Sequence, residues 1–140
     1  MNFVTINSLI AVVFAHNVLA DNSNKSSSDF VKLQSTAIEF CKRQRLNAPF
    51  PPHPFTTDQC SVWFDGNWQS CCVEHDFAYW CGGSAKQRVH ADDQLKRCVK
   101  EKGYPLMGDI MRFGVRMGGY SIWPLPWRWG YGWEWPDDGS

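Results

Sequence analysis

Residues 68–102 read WQSCCVEHDFAYWCGGSAKQRVHADDQLKRCVKEK, and this stretch decides the fold. A helix is expected from about Trp68 to Cys81. Gly82-Gly83 stops it, because glycine takes the left-handed conformation that ends many helices. Ser84-Ala85-Lys86-Gln87 is an S-x-x-Q capping box and opens a second helix, which reaches about Lys102 before Gly103. Helices joined by so short a turn run antiparallel. On the first, Cys72, His75, Asp76 and Tyr79 recur three or four residues apart and share a face. On the second, Asp92 stands in the apolar stripe of Ala85, Val89, Leu95 and Val99, where a carboxylate is costly unless paired. From the turn centre between Gly82 and Gly83, His75 lies 7.5 positions back and Asp92 9.5 forward. At a rise of ~1.5 Å per residue that mismatch is only ~3 Å, so the two stand level on facing helices. The carboxylate can then fix the imidazole tautomer and leave the other nitrogen to take a proton from water. Such a pair can also serve only to tie two helices. Asp76, directly after His75, adds a second carboxylate and favours chemistry.

Outward from the hairpin, the chain of 140 residues has room for one domain of ordinary size. Its 14 Lys plus Arg balance 14 Asp plus Glu, which excludes a generic nucleic-acid binder, since a neutral chain releases few counterions from phosphates. Upstream, Ser28 or Asp29 is placed to cap a helix carrying Phe30, Leu33, Ala37, Phe40 and Cys41 at helical spacing. Asn47–Pro54 holds four prolines and is expected to be an extended connection. Asp65-Gly66-Asn67 reads as a turn into the hairpin. Pro105–Met117 fits either a helix, through Leu106, Ile110, Phe113 and Met117, or an alternating strand. Pro105 suits a first helical position and tips the expectation to helix. The segment 118–140, rich in Trp, Pro and Gly, is expected to be irregular.

At the N-terminus, the apolar run Leu9–Ala15 followed by Val18-Leu19-Ala20 has the pattern of a secretory signal, with cleavage after Ala20; the other reading is a buried N-terminal element. The polar tract 21–28 follows, and the expected domain spans 29–117. Nowhere is there an apolar run of about 18 residues, the length a spanning helix needs. Export, to the periplasm or outside the cell, makes the six cysteines three disulfides before it makes them a metal site, with fifteen pairings open.

The segment CCVEHDFAY (71–79) resembles the active-site helix of secreted phospholipase A2, C-C-x-x-H-D-x-C-Y. The resemblance implies an all-α, disulfide-stapled core with an antiparallel helix hairpin and, here, an irregular Trp-rich tail. It implies that His75 is the general base, that Asp92 orients it and that Tyr79 holds Asp92. Asp76 becomes a calcium-binding carboxylate, with further oxygens from the loop at Cys60, Trp63 and Asp65; Asp65 is equally placed to be only an N-cap. By the same resemblance the bridges are Cys71–Cys98, Cys60–Cys72 and, by elimination, Cys41–Cys81. Ala78 stands where the family has a cysteine, and Ala91 where that cysteine's partner would be, so one bridge is lost at both ends. The short connection between Asp76 and Asp92 resembles compact bacterial and fungal members without the β-wing. The glycine-rich calcium loop is replaced by Asp58–Gly66.

The implied activity is calcium-dependent hydrolysis of a phospholipid ester, at the sn-2 acyl bond, by a monomer working at a membrane or micelle interface. The alternative is a related scaffold that binds lipid or protein without turnover. Five tryptophans lie within thirteen residues: Trp123, Trp127, Trp129, Trp133 and Trp135. They suit a membrane interface, a sugar-stacking surface, or a wrap around the small helical core. From Lys86 to Arg116 eight basic residues outnumber four acidic ones, an asymmetry that favours anionic lipid.

Overall fold

The computed structural model describes residues 27–60 and 66–134. The segment 1–20 that reads as a secretory signal, most of the tract 21–28, Trp63, Asp65 and Trp135 lie outside them. Among the described residues there are four helices and no strand: α1 over residues 27–44, α2 Gln69–Cys81, α3 Ala85–Glu101 and α4 Pro105–Gly118. Residue 27 is already helical, so neither Ser28 nor Asp29 caps α1. Both are exposed there, and on a helix surface their preference for a cap is a weak force. The chain divides into two units after Ser35. The described part of the first is helical, with Ser35 Oγ donating to the Lys32 carbonyl at 2.8 Å. The second, Thr36–Ser140, holds the hairpin, α4, the tail and all three disulfides.

The hairpin forms as its local signals dictate. Ser84 N–H donates to Gln87 Oε1 at 2.8 Å and Gln87 N–H to Ser84 Oγ at 3.3 Å, the reciprocal pair of a capping box. Gly82 carries φ of 65°, the left-handed turn that lets α2 stop and α3 come back. The bridges are Cys41–Cys81, Cys60–Cys72 and Cys71–Cys98, tying α1 to the end of α2, the 55–60 segment to its start, and α2 to α3. Cys60, Trp68, Cys71, Cys72, Leu95, Val99 and Met111 form one buried cluster. Met111 brings α4 into it, and this buried contact favours the helix over the strand at 105–117. Gly108 allows the approach: a Cβ there would sit 2.7 Å from the Lys96 carbonyl oxygen of α3. At this seam Lys96 and Lys100 pair with Asp109 at 2.5 and 2.9 Å, and Arg112 pairs with Asp93.

The tail works as a cap for α2. A helix end leaves carbonyls without intrahelical donors. Here Gly130 N–H donates to Tyr79 O at 2.6 Å, and Trp133 Nε1 to Cys81 O at 2.9 Å. Trp129 Nε1 donates to Gly83 O at 3.0 Å. Arg128 is buried and holds the tail's own turn, donating to the carbonyls of Trp129, Gly130 and Trp133 at 3.3, 3.1 and 2.6 Å. Trp129 packs with Ala78, Tyr79 and Ala91, its ring edge-on to Tyr79 at 5.0 Å. Ala78 and Ala91 thus share a cluster with this indole. Of the three readings of the tryptophans, Trp129 and Trp133 follow the wrap around the helical core rather than the membrane interface. Their N–H groups are taken by hairpin carbonyls, and Trp129 is only 8% exposed.

Candidate active site

Asp92 is the centre of the arrangement and is fully buried. Its Oδ1 faces His75 Nε2 at 3.0 Å and accepts from the Tyr79 hydroxyl at 2.7 Å. Its Oδ2 accepts from Arg116 Nη1 at 3.1 Å. Burial alone would raise this carboxyl. The hydrogen bonds from His75, Tyr79 and Arg116 outweigh it and hold the group below its ordinary value, so Asp92 is ionised at neutral pH. An ionised Asp92 requires the proton on His75 Nε2 and leaves Nδ1 to accept one from water. The His75 and Tyr79 rings stack at 4.1 Å between centroids. Burial, and next the charge of Asp92, push the Tyr79 phenol well above its usual value, so it serves as a neutral donor. Gly119 makes room for it: a Cβ there would stand 2.5 Å from Tyr79 Cε1.

His75, Asp76 and Tyr79 line one wall of a cleft of about 320 Å³. Its lining also takes in the buried Leu95 and Met111, Gly114, Val115, Gly118 and Gly119 at the end of α4, and Leu125, Trp127 and Tyr131 of the tail. Beside it a smaller cleft of about 230 Å³ is lined by Thr57, Asp58, Asp76, Trp127 and Tyr131. Burial pushes the Asp76 carboxyl up to about 7, against the 2.5 Å hydrogen bond from Thr57 Oγ1 and helped by the neighbouring Asp58. Two neighbouring carboxylates, one of them partly buried, offer the kind of hard oxygen ligands that a divalent cation takes. Among the described residues no three His, Cys, Asp or Glu side chains form a metal cluster. A cation at Asp76 would therefore need hydroxyl and carbonyl oxygens as well. Cys60 is buried in its bridge at the rim of the cleft, and Trp63 and Asp65 lie outside the described residues.

Sequence reasoning missed Thr57, Tyr131, Arg88 and Arg116. Arg88 is buried on α3 and donates to the carbonyls of Val115 and Arg116 at 3.1 and 2.7 Å, its guanidinium stacked 4.3 Å from the Tyr120 ring. Arg116 had counted towards a basic surface. Lys96, Lys100, Arg112 and Arg116 are instead spent on carboxylates of the fold, which weakens the case for anionic lipid. The Tyr131 hydroxyl, from the tail, donates to Thr56 O at 2.6 Å. His53 and His90 are exposed, away from this cluster, as their positions in the sequence suggest. The arrangement brings together a histidine held by a buried carboxylate, a second carboxylate beside it, and an apolar cleft. No family model, curated protein or solved structure matches the chain, so the site's chemistry is argued from its own residues.

Proposed function

We propose that the protein is a phospholipase A2-like hydrolase that cleaves a phospholipid acyl ester with calcium. The observation that carries this reading is the His75–Asp92–Tyr79 network opening into an apolar cleft with Asp76 beside it. His75 Nδ1 takes a proton from a water, and that water attacks the ester carbonyl. Asp92 keeps the imidazole in its tautomer and stabilises the imidazolium as the proton arrives. The imidazolium then returns the proton to the leaving alkoxide. The low-exposure carboxylate and the neutral Tyr79 hold this geometry without needing to titrate. Calcium held by Asp76, with oxygens of Thr57, Asp58 and the loop that follows, would polarise the carbonyl and stabilise the oxyanion. The slot between Leu95, Met111 and the glycines of α4 has the size and polarity for an acyl chain. The sn-2 position is what the phospholipase A2 resemblance adds.

A lipid interface is the natural partner. On α4, Leu106, Ile110, Phe113 and Met117 are exposed at helical spacing, and Ile122, Trp123 and Trp127 follow them. The same helix lines the cleft through Gly114, Val115 and Gly118, so lipid met by the outer stripe lies close to the slot. Trp123 and Trp127, both half exposed, are the tryptophans available for the interface reading. The test is fatty-acid release from phospholipid vesicles by the wild type and by His75→Gln, with calcium and with chelator. Release that needs both His75 and calcium supports the reading. Lipid binding without release supports the non-catalytic scaffold instead.

A further inference from the structure

We propose that Arg116 is a positioning residue of the site: from α4 it grips Asp92 Oδ2, so that Oδ1 is presented to His75 in one orientation. The inference rests on the hydrolase reading above and adds a residue from outside the hairpin.

A carboxylate on a facing helix is free to rotate about its Cβ–Cγ bond unless both oxygens are engaged. Here Oδ1 already takes two donors, His75 Nε2 and the Tyr79 hydroxyl. Without a donor on Oδ2, rotation would exchange the two oxygens and loosen the contact to the imidazole. Arg116 supplies that donor at 3.1 Å to a carboxylate that is fully buried. A charge-assisted bond of this kind is among the stronger ones a protein makes. The guanidinium also sets a positive charge beside Asp92, which a neutral imidazole and a phenol do not provide.

The backbone that carries Arg116 is itself fixed. Arg88 Nη2 donates to the carbonyls of Val115 and Arg116, and the Tyr79 hydroxyl lies 3.2 Å from Val115 O. These are the last-turn carbonyls of α4, where a cation is favoured by the helix dipole. Arg88, Tyr79 and Asp92 of the hairpin thus converge on residues 115–116. Val115 also lines the apolar cleft. The contact that aims the base and the wall that receives the acyl chain are therefore set by the same turn of α4.

The experiment compares Arg116→Gln and Arg116→Lys with the wild type, using hydrolysis kinetics and the 15N shifts of the His75 ring. Arg116 is partly exposed, so both variants are expected to fold, with circular dichroism as the check. Arg116→Gln is expected to lower kcat by roughly 10-fold or more with KM within about twofold, since the residue does not line the cleft. Arg116→Lys is expected to recover most of the loss. In the ring spectrum, the wild type is expected to hold one tautomer, protonated at Nε2, and Arg116→Gln to mix the two. An unchanged kcat, or a loss that Lys does not repair together with an unchanged tautomer, would overturn the proposal. If the wild type releases no fatty acid, the hydrolase reading fails by itself. The ring spectrum then decides alone: a mixed tautomer in Arg116→Gln upholds the positioning role, and an unchanged one removes it.

Discussion

The hairpin and the tail hold themselves together by different means. In the hairpin, local rules and covalent bonds agree. A capping box, a glycine stop and the Cys71–Cys98 bridge all specify α2 against α3. Among its described residues, 119–134, the tail has no helix or strand, and it carries no cysteine to bridge. It is held by indole and arginine donors aimed at backbone carbonyls and by one buried ring, Trp129. The hairpin holds the His75–Asp92–Tyr79 network on which the proposed chemistry rests, and the tail contributes Leu125, Trp127 and Tyr131 to the lining of the cleft. A short apolar core can therefore be completed by aromatic side chains that satisfy a helix end while they pack, work that disulfides do elsewhere in the same molecule.

The largest expected effect separates the two regions by function. His75→Gln should lower hydrolysis by roughly 10³-fold, within the range of general-base catalysis, with three intact bridges by mass under non-reducing conditions. A comparable collapse from a conservative tail change such as Trp133→Phe would break the division. Next comes the pH dependence at Asp76, whose carboxyl burial pushes up to about 7. A raised carboxyl binds its proton more tightly folded than unfolded. Without calcium, stability should therefore fall as pH rises from about 4 to about 7, by up to ~4 kcal/mol for a shift of about three units. Calcium must displace that proton, so its affinity should rise with pH and level off above about 7. Calorimetry in buffers of different ionisation heat should record proton release below that pH. Asp76→Asn should remove both effects.

Stability sharpens the comparison further. Replacing Cys71 and Cys98 by serine should cost ~2–4 kcal/mol. Trp129→Ala should cost about 3 kcal/mol, near the low end for a buried large aromatic, and so rival a bridge. Thermal melts of the two variants side by side measure this, and a negligible loss in Trp129→Ala would reduce the tail to an appendage. The smallest effect lies at the surface. Phe113→Ser with Met117→Ser should weaken partition to zwitterionic vesicles by ~10-fold, since both side chains are exposed. Hydrolysis of a monomeric short-chain substrate should stay unchanged.

How much of this was legible in the sequence follows the same division. The level pairing of His75 and Asp92 came from counting residues, because a glycine stop and a capping box fix where each helix begins and ends. Helix spacing also placed Tyr79 and Asp76. Arg116 could not be found that way: it lies in a helix whose local pattern makes an arginine look solvated, and its role depends on how α4 packs across α3. Arg88 was within reach of the same spacing, since it stands four residues before Asp92 on the buried stripe with Leu95 and Val99, but the charge count treats it only as a surface cation. Ala78 and Ala91 stand on facing helices of the hairpin, but the indole beside them comes from 38 positions beyond Ala91, a contact no local period encodes. The tryptophans were similarly ambiguous. Composition counts five alike, while hydrogen bonding sorts Trp129 and Trp133 inward and leaves Trp123 and Trp127 half exposed.

The central claim is that the Asp92-locked His75 activates water against a phospholipid ester with calcium at Asp76. Its most direct test is hydrolysis of a phospholipid carrying a different acyl chain at each glycerol position, with calcium and with chelator, scored by which fatty acid leaves. The account predicts calcium-dependent release of the sn-2 chain alone. No release, or release undiminished by chelator, would contradict it.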